Sequence, residues 1–400
     1  MSRSERLTGL TFREQLPVVL VGLGHGGVHW VAAAFYVLLP YLARDLDLSY
    51  TQAGLLVTLF HVTSVLTNFG SGLLVDITGK RVLFQVLSLV VCALALAGFG
   101  VAGSLLWLGL MVVFIGASNN LWHPAAISFL SRRFPRNKGY ALSIHATGAN
   151  LGDAVAPLAA GALLAFLSWG PSASIVVIPV LVVAALLALI LRDDAAKDSK
   201  GLTFQGYLEG MGKVVRDGNV LGLCLMSGLR TMAQAGLLVF LPLYLTDEMH
   251  LGPLWMGLAL AVMQSGGVLA APVAGVVSDR IGRRPIVVGG LSLSTVLIVL
   301  LAVVGTGLPF IVGIALLGFA LFAVRPVVHS WMMDITPPEL GGSATSLMFG
   351  VQAGLSALAP LIGGVIADHY GLGSVFYFLA AIMLAANLAV VTLVRQRIPE

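Results

Sequence analysis

The sequence predicts an all-α membrane protein with twelve transmembrane helices in two six-helix halves. Three observations carry this: very little charge, twelve apolar runs of membrane-crossing length, and an internal repeat at one fixed offset. Charged residues fill 10% of the 400 positions, hydrophobic residues 58%, and the mean hydropathy is +0.97. Soluble domains carry about 25% charged residues. A water-facing surface cannot be built from what remains, so lipid must solvate most of the exterior. The 47 glycines suit close helix packing in a bilayer. Cys92 and Cys224 lie in apolar runs and give neither a disulfide framework nor metal spacing.

A spanning helix needs about 20 mostly apolar residues. The runs fall at 16–42, 50–75, 81–101, 104–130, 139–168, 172–192, 217–246, 254–277, 285–305, 308–333, 341–367 and 371–394. The first is too long for a signal-peptide core and lacks a clear cleavage site, which predicts a retained helix. The long polar stretch 193–216 reads as a cytoplasmic linker, leaving bundles at 1–192 and 217–400. Nineteen of the 22 Lys and Arg residues fall on one side of the membrane if the termini share that side. The other side holds Arg44, and Arg230 and Arg325 lie inside helices. Positive charge marks the cytoplasmic side, so both termini are expected there.

Gly72-Leu-Leu-Val-Asp76-Ile-Thr-Gly79-Lys80-Arg81 recurs as Gly275-Val-Val-Ser-Asp279-Arg-Ile-Gly282-Arg283-Arg284, 203 positions on. Ala154-Val-Ala-Pro157-Leu-Ala-Ala-Gly161 recurs as Ala357-Leu-Ala-Pro360-Leu-Ile-Gly-Gly364 at the same offset. Two segments sharing one offset argue for duplication of a six-helix unit. Parallel repeats place a substrate site at their interface near the bilayer midplane.

The first repeated segment resembles the signature of the major facilitator superfamily between helices 2 and 3 and between 8 and 9. The resemblance implies a conformational latch made by Gly72, Asp76, Gly79 and Arg81, and by Gly275, Asp279, Gly282 and Arg283. Taken singly, each copy reads as an ordinary positive-inside loop. The fifth run, Gly148-Ala-Asn150-Leu-Gly152-Asp153-Ala-Val-Ala156-Pro157, is similar to the Gly-rich helix of drug/proton antiporters, with Ala156 and Ala160 where Gly is usual. Its bland reading is a Pro-kinked packing helix. Asn119-Asn120-Leu-Trp-His123-Pro124 and Ser49-Tyr-Thr-Gln-Ala-Gly resemble fosmidomycin-resistance-type transporters. That group implies proton-driven export of small toxic compounds, including a phosphonate.

Ionisable groups inside a bilayer are default functional candidates because burial without a partner is expensive. His25 and His29 share a face of the first helix, and Asn119, Asn120 and His123 lie on the fourth. His145, Asn150 and Asp153 lie on the fifth, Arg230 and Gln234 on the seventh, Arg325 and His329 on the tenth. His61 adds a titratable group on the second. Shifted by the repeat offset, Arg230 maps near Gly27 and Arg325 close to His123. In superfamily members helices 1, 4, 7 and 10 line the central cavity.

Asp153 is the sole acid at membrane depth. It reads either as a proton carrier or as a fixed counter-ion for Arg230 or Arg325. Each histidine alone reads as a neutral core residue; as a set they can carry protons or bind substrate, and His145 stands beside Asp153 as the second proton-coupling candidate. No carboxylate or thiolate cluster supports a metal. Two arginines against one acid point to an anionic substrate, since the guanidinium fork suits carboxylate or phosphonate. Alternatively Arg325 satisfies carbonyls freed at Pro326.

The expected function is proton-coupled export of a small organic anion or amphipathic toxic compound by alternating access. Arg230, Arg325, His25, His29, Asn119, Asn120, His123, Gln234 and His329 would bind substrate; Asp153 or a histidine would couple protons. Proton-coupled uptake of an organic acid and efflux of cationic drugs remain open. No Ser-centred elbow, paired carboxylates or metal spacing suggests an enzyme, and no cofactor or nucleic acid is expected. The expected setting is the inner membrane of a bacterium, with the chain acting as a monomer.

Overall fold

The computed structural model describes residues 9–101, 103–193, 209, 211–337 and 340–394, apart from the side chains of Phe12, Phe69, Leu73 and Asp76. The helices used below are α1 Phe12–Asp45, α2 Tyr50–Thr78, α3 Arg81–Ala97, α4 Leu105–Arg133, α5 Lys138–Leu164, α6 Trp169–Val176 and α7 Ile178–Ile190. They continue with α8 Gly218–Asp247, α9 Pro253–Ile281, α10 Arg283–Val304, α11 Leu308–Ile335, α12 Gly341–Ser356, α13 Leu358–Tyr370 and α14 Leu372–Leu393. No strand occurs among the described residues. Most of the expected linker, including Lys197 and Lys200, lies outside them, as do Arg3, Arg6, Arg395 and Arg397.

Helices satisfy every backbone group internally, which is what hydrocarbon demands. Each apolar run is covered by one helix or by a broken pair: α6 with α7, and α12 with α13. Counting each pair as one, ten helices are long and apolar enough to cross a membrane among the described residues. The sequence led us to expect twelve. The two that fall short, α2 and α5, have 29 and 27 residues, so length is not the reason. In α5 the polar residues His145, Asn150 and Asp153 interrupt the apolar stretch, whereas α2 contains Phe69, Leu73 and Asp76, whose side chains lie outside the described residues. Large apolar side chains such as Leu106 (86% exposed) and Phe166 (88%) point outward, where lipid would cover them.

The chain forms two compact units. The first joins residues 1–42 with 63–199; the second joins 43–62 with 200–400. The end of α1 and the start of α2 thus belong with the C-terminal helices.

In the first unit α1 is held between α4 and α5 at glycine contacts. A Cβ on Gly148 would stand 1.9 Å from the Gly22 carbonyl oxygen, and one on Gly152 would stand 2.2 Å from that of Gly26. A Cβ on Gly24 would meet the Trp122 ring at 2.1 Å. Backbones this close need small residues. Trp30 Nε1 donates to the Val176 carbonyl at 2.8 Å, fixing α1 against α6.

In the second unit Tyr244, Phe310 and Phe376 form an aromatic core, with ring centroids 5.0–5.9 Å apart. A Cβ on Gly318 would stand 2.0 Å from the Met263 carbonyl oxygen, so α9 and α11 also touch at backbone level. The first turn of α2 is capped from α13. Asp368 accepts from the Tyr50 and Thr51 amides, each at 2.9 Å, and from Thr51 Oγ1 at 2.5 Å. Such a carboxylate satisfies amides that have no partner within the helix.

The repeat is visible in the backbone. Asp47 and His250 adopt left-handed φ of 49° and 52°, and Gly79 and Gly282 φ of 67° and 94°. Both pairs keep the 203-residue offset. The turns before α3 and α10 differ by one residue: α3 begins at Arg81, two after its glycine, whereas α10 begins at Arg283 directly after Gly282. The helix-opening arginines are therefore Arg81 and Arg283, although the sequence offset matches Arg81 with Arg284.

Candidate functional site

Each unit holds its own polar cluster among its helices. In the first unit the glycine contacts bring α1, α4 and α5 together, and four histidines meet. The His25 ring stacks on His145 at 3.8 Å between centroids and meets His29 and His123 edge-on at 4.8 and 5.1 Å. His25 Nδ1 lies 2.8 Å from the His145 carbonyl oxygen. A carbonyl only accepts, so His25 carries its proton on Nδ1. Its Nε2 is buried and has no hydrogen-bond partner.

Trp122 Nε1 donates to His145 Nε2 at 3.1 Å. An indole nitrogen only donates, so His145 must present a lone pair there. Asp153 receives His29 Nδ1 at 3.0 Å on both carboxylate oxygens. The pair is mostly buried, with side-chain exposure of 18% on each partner. Asp153 thus meets His29 within its own unit. The reason is local, since residues 29 and 153 flank the Gly26–Gly152 contact.

In the second unit Arg230 is buried (2% exposed). Its Nη1 donates to Gln234 Oε1 at 3.0 Å, one helical turn on, and reaches the Leu321 carbonyl oxygen at 3.5 Å. Its Nε is buried without a hydrogen-bond partner. The Arg325 charge acts on both Arg230 and His329. His329 leans on Phe349 at 5.3 Å. The described acids of this unit, including Asp247, Asp279, Asp334 and Asp368, sit at or near helix ends. An unneutralised arginine pair of this kind can hold an anion.

Not every expected residue joins these clusters. Asn120 spends its amide on the Ser64 carbonyl at 2.6 Å, tying α4 to α2. Asn119 is half-buried next to it. His61 belongs to the second unit and packs edge-on to Phe60 at 5.2 Å. Gln352 donates to Ser227 Oγ at 2.5 Å, joining α12 to α8.

At the repeated turns Arg81 donates from Nε to Ser128 Oγ at 2.7 Å and from Nη1 to the Gly79 carbonyl at 3.2 Å. Arg283 donates to Asp279, to Ser278 Oγ at 2.7 Å and to Asp334 Oδ2 at 3.0 Å. The Asp76 side chain lies outside the described residues. Gly72 and Gly275 have nothing within 4 Å of an added Cβ, so neither marks a close approach.

A family model described as the Major Facilitator Superfamily matches residues 21–262 and 223–400. The chain belongs to this superfamily. Similar proteins include the "Phosphoglycerate transporter protein" of Salmonella typhimurium, 25% identical over 90% of this chain and 84% of that one. The "Multidrug resistance protein MdtG" of Escherichia fergusonii is 23% identical over 96% and 95%. An uncharacterised MFS-type transporter of Bacillus subtilis, YfnC, is 23% identical over 89% and 87%. Among solved structures, a bacterial homolog of the human lysosomal transporter Spinster superposes with a TM-score of 0.81 at 17% identity, covering 96% of both chains. The nucleoside transporter NupG gives 0.78 at 10% identity, covering 95% and 100%. These structural likenesses speak to the fold. The superfamily chain is thus a multi-pass membrane transporter, not an enzyme.

Sequence reading missed two parts of this site. Trp122 has no role in the sequence reading; the available signal is an indole one residue before His123. Asp368 read as an ordinary helix-end acid, and nothing local betrays that it caps a helix some 318 positions away.

Proposed function

We propose that this superfamily member exports a small organic anion, phosphonate-like or an amphipathic compound with an anionic end, against entering protons. The observation that carries the reading is Arg230: a buried guanidinium whose Nε lacks a partner and whose described bonds go to an amide and a carbonyl. A guanidinium stays charged at any physiological pH, so the site calls for an anion. Arg325, Gln234 and His329 would complete it, and Gln234 would hold the Arg230 fork in place. The name of the phosphoglycerate-transporting relative agrees with an anionic cargo, and that of the multidrug-resistance relative with outward movement.

In this reading all twelve apolar runs cross the bilayer in two halves of six. Both termini face the cytoplasm of a bacterial cell, and one copy suffices. His25, His123 and Asn119 would line the path in the first unit. Arg81 and Arg283, with Asp76 and Asp279, would bias the equilibrium between access states by alternating access.

The test is transport in proteoliposomes of purified protein, under an imposed pH gradient, with labelled phosphonate and dicarboxylate probes. Proton-driven movement that Arg230→Met abolishes supports the reading. Efflux of a cationic dye that survives Arg230→Met and stops in Asp153→Asn would replace it with cationic-drug export.

A further inference from the structure

We infer that His29 and Asp153 together form the proton-binding site of the first unit, with the proton taken up on His29 Nε2. This deepens the proton-coupled reading and reassigns His29 from cargo to protons.

The geometry selects this pair among the titratable groups present. His29 Nδ1 is equidistant, at 3.0 Å, from both oxygens of Asp153. An ionised carboxylate only accepts, so Nδ1 must carry a hydrogen and the lone pair is left on Nε2. A proton arriving there turns the pair from net negative into a neutral imidazolium–carboxylate pair. The excess charge disappears without either side chain leaving its partner. In a low-dielectric interior such a change decides how readily the unit can be enclosed by hydrocarbon.

The contacts described for the neighbouring imidazoles are with groups other than a carboxylate. His145, on the same helix as Asp153, must offer Nε2 to the Trp122 indole; protonating it would set two N–H groups head to head. His25 carries its hydrogen toward the His145 carbonyl and lies face to face with the His145 ring at 3.8 Å, so a charge on it would be crowded by imidazoles. His123 on α4 meets His25 edge-on at 5.1 Å. Tyr36 on α1 is buried and feels the Asp153 charge. The described Lys and Arg residues of this unit sit at helix ends or in loops. Asp153 is the carboxylate that can compensate a charged imidazole here. His25 is then a positioning residue: its ring fills the space between His29 and His145 and keeps His29 turned toward Asp153.

The inference is tested without any cargo, by nitrogen NMR of protein labelled with ¹⁵N-histidine, in lipid, across about pH 5 to 8. The wild-type chain should show one membrane-depth imidazole passing from neutral to charged. His29→Gln should remove that signal and leave those assigned to His25 and His145 at their neutral positions throughout. Asp153→Asn, which preserves shape and one acceptor, should move the His29 Nδ1 resonance. A membrane-depth imidazole signal that still titrates in His29→Gln, or vanishes in His145→Gln, overturns the inference. Should His29→Gln fail to fold by gel filtration, an unmoved His29 Nδ1 resonance in Asp153→Asn overturns it alone. Because no transport is read, a wrong cargo leaves this outcome unaffected.

Discussion

Arg44 Nη2 donates to Asp247 Oδ1 at 2.8 Å, and the two residues stand 203 positions apart, the offset that relates the repeated segments. One position of the duplicated unit thus carries a cation in the first copy and an anion in the second. Both lie in the second unit, where Tyr50 Oη also reaches Asp247 Oδ2 at 3.2 Å.

Arg44 is 63% exposed, so the pair contributes little by itself. A double-mutant cycle of Arg44→Ala and Asp247→Ala, read by thermal unfolding in detergent, should give a coupling of about 0.2–1 kcal/mol. The exchange Arg44→Asp with Asp247→Arg should recover what either single reversal loses. A swapped protein no better than the single reversals would show that the pairing is incidental.

The α1–α5 contact makes a steeper prediction. Gly148→Ala places a methyl 1.9 Å from the Gly22 carbonyl oxygen and forces the helices apart. Overpacking of this kind costs about 1–3 kcal/mol. Gly139→Ala, at the start of the same helix with nothing within 4 Å, is the control and should leave the melting temperature within a degree or two of wild type. Equal effects at the two glycines would refute the contact.

Trp122→Phe keeps the stacked ring and removes the indole donor from His145 Nε2. A buried acceptor left without its donor costs about 1–3 kcal/mol. His145→Phe alone should be damaging through the loss of its ring nitrogens. Adding it to Trp122→Phe should be much less damaging than the sum, since the two share one bond. Additive losses in unfolding measurements would contradict this.

Arg230→Lys tests whether the guanidinium fork matters or only the charge. Lys lacks the second donor that engages an anion side by side. We expect phosphonate affinity to fall by about tenfold to a few hundredfold with Lys, and further with Met, in tryptophan-quench or isothermal titration. Lys behaving as wild type would mean that a point charge suffices.

Much of this architecture could be read from the chain, because bilayer thickness converts directly into run length and a duplication leaves a fixed offset. The matching left-handed residues Asp47 and His250 show that the offset reaches down to single backbone angles. The apolar character of α5 is weakened because polar residues needed inside the bundle, His145, Asn150 and Asp153, dilute it. Spacing along α1 put His25 and His29 on one face, but which group each would meet depended on Gly22 and Gly26, whose bare backbones let α5 approach. The basic turns illustrate another limit. Matching the two copies by their offset selects Arg284, whereas it is Arg283 that bonds Asp279 and Asp334.

The indole–imidazole bond between Trp122 and His145 also means that the chain carries its own optical reporter. Trp122 is fully buried within the histidine cluster and stacks at 6.4 Å on His25. A variant retaining this fluorophore and replacing the other five tryptophans would emit from beside the ionisable groups. Its quantum yield could follow their state in real time, in intact membranes and with no dye attached.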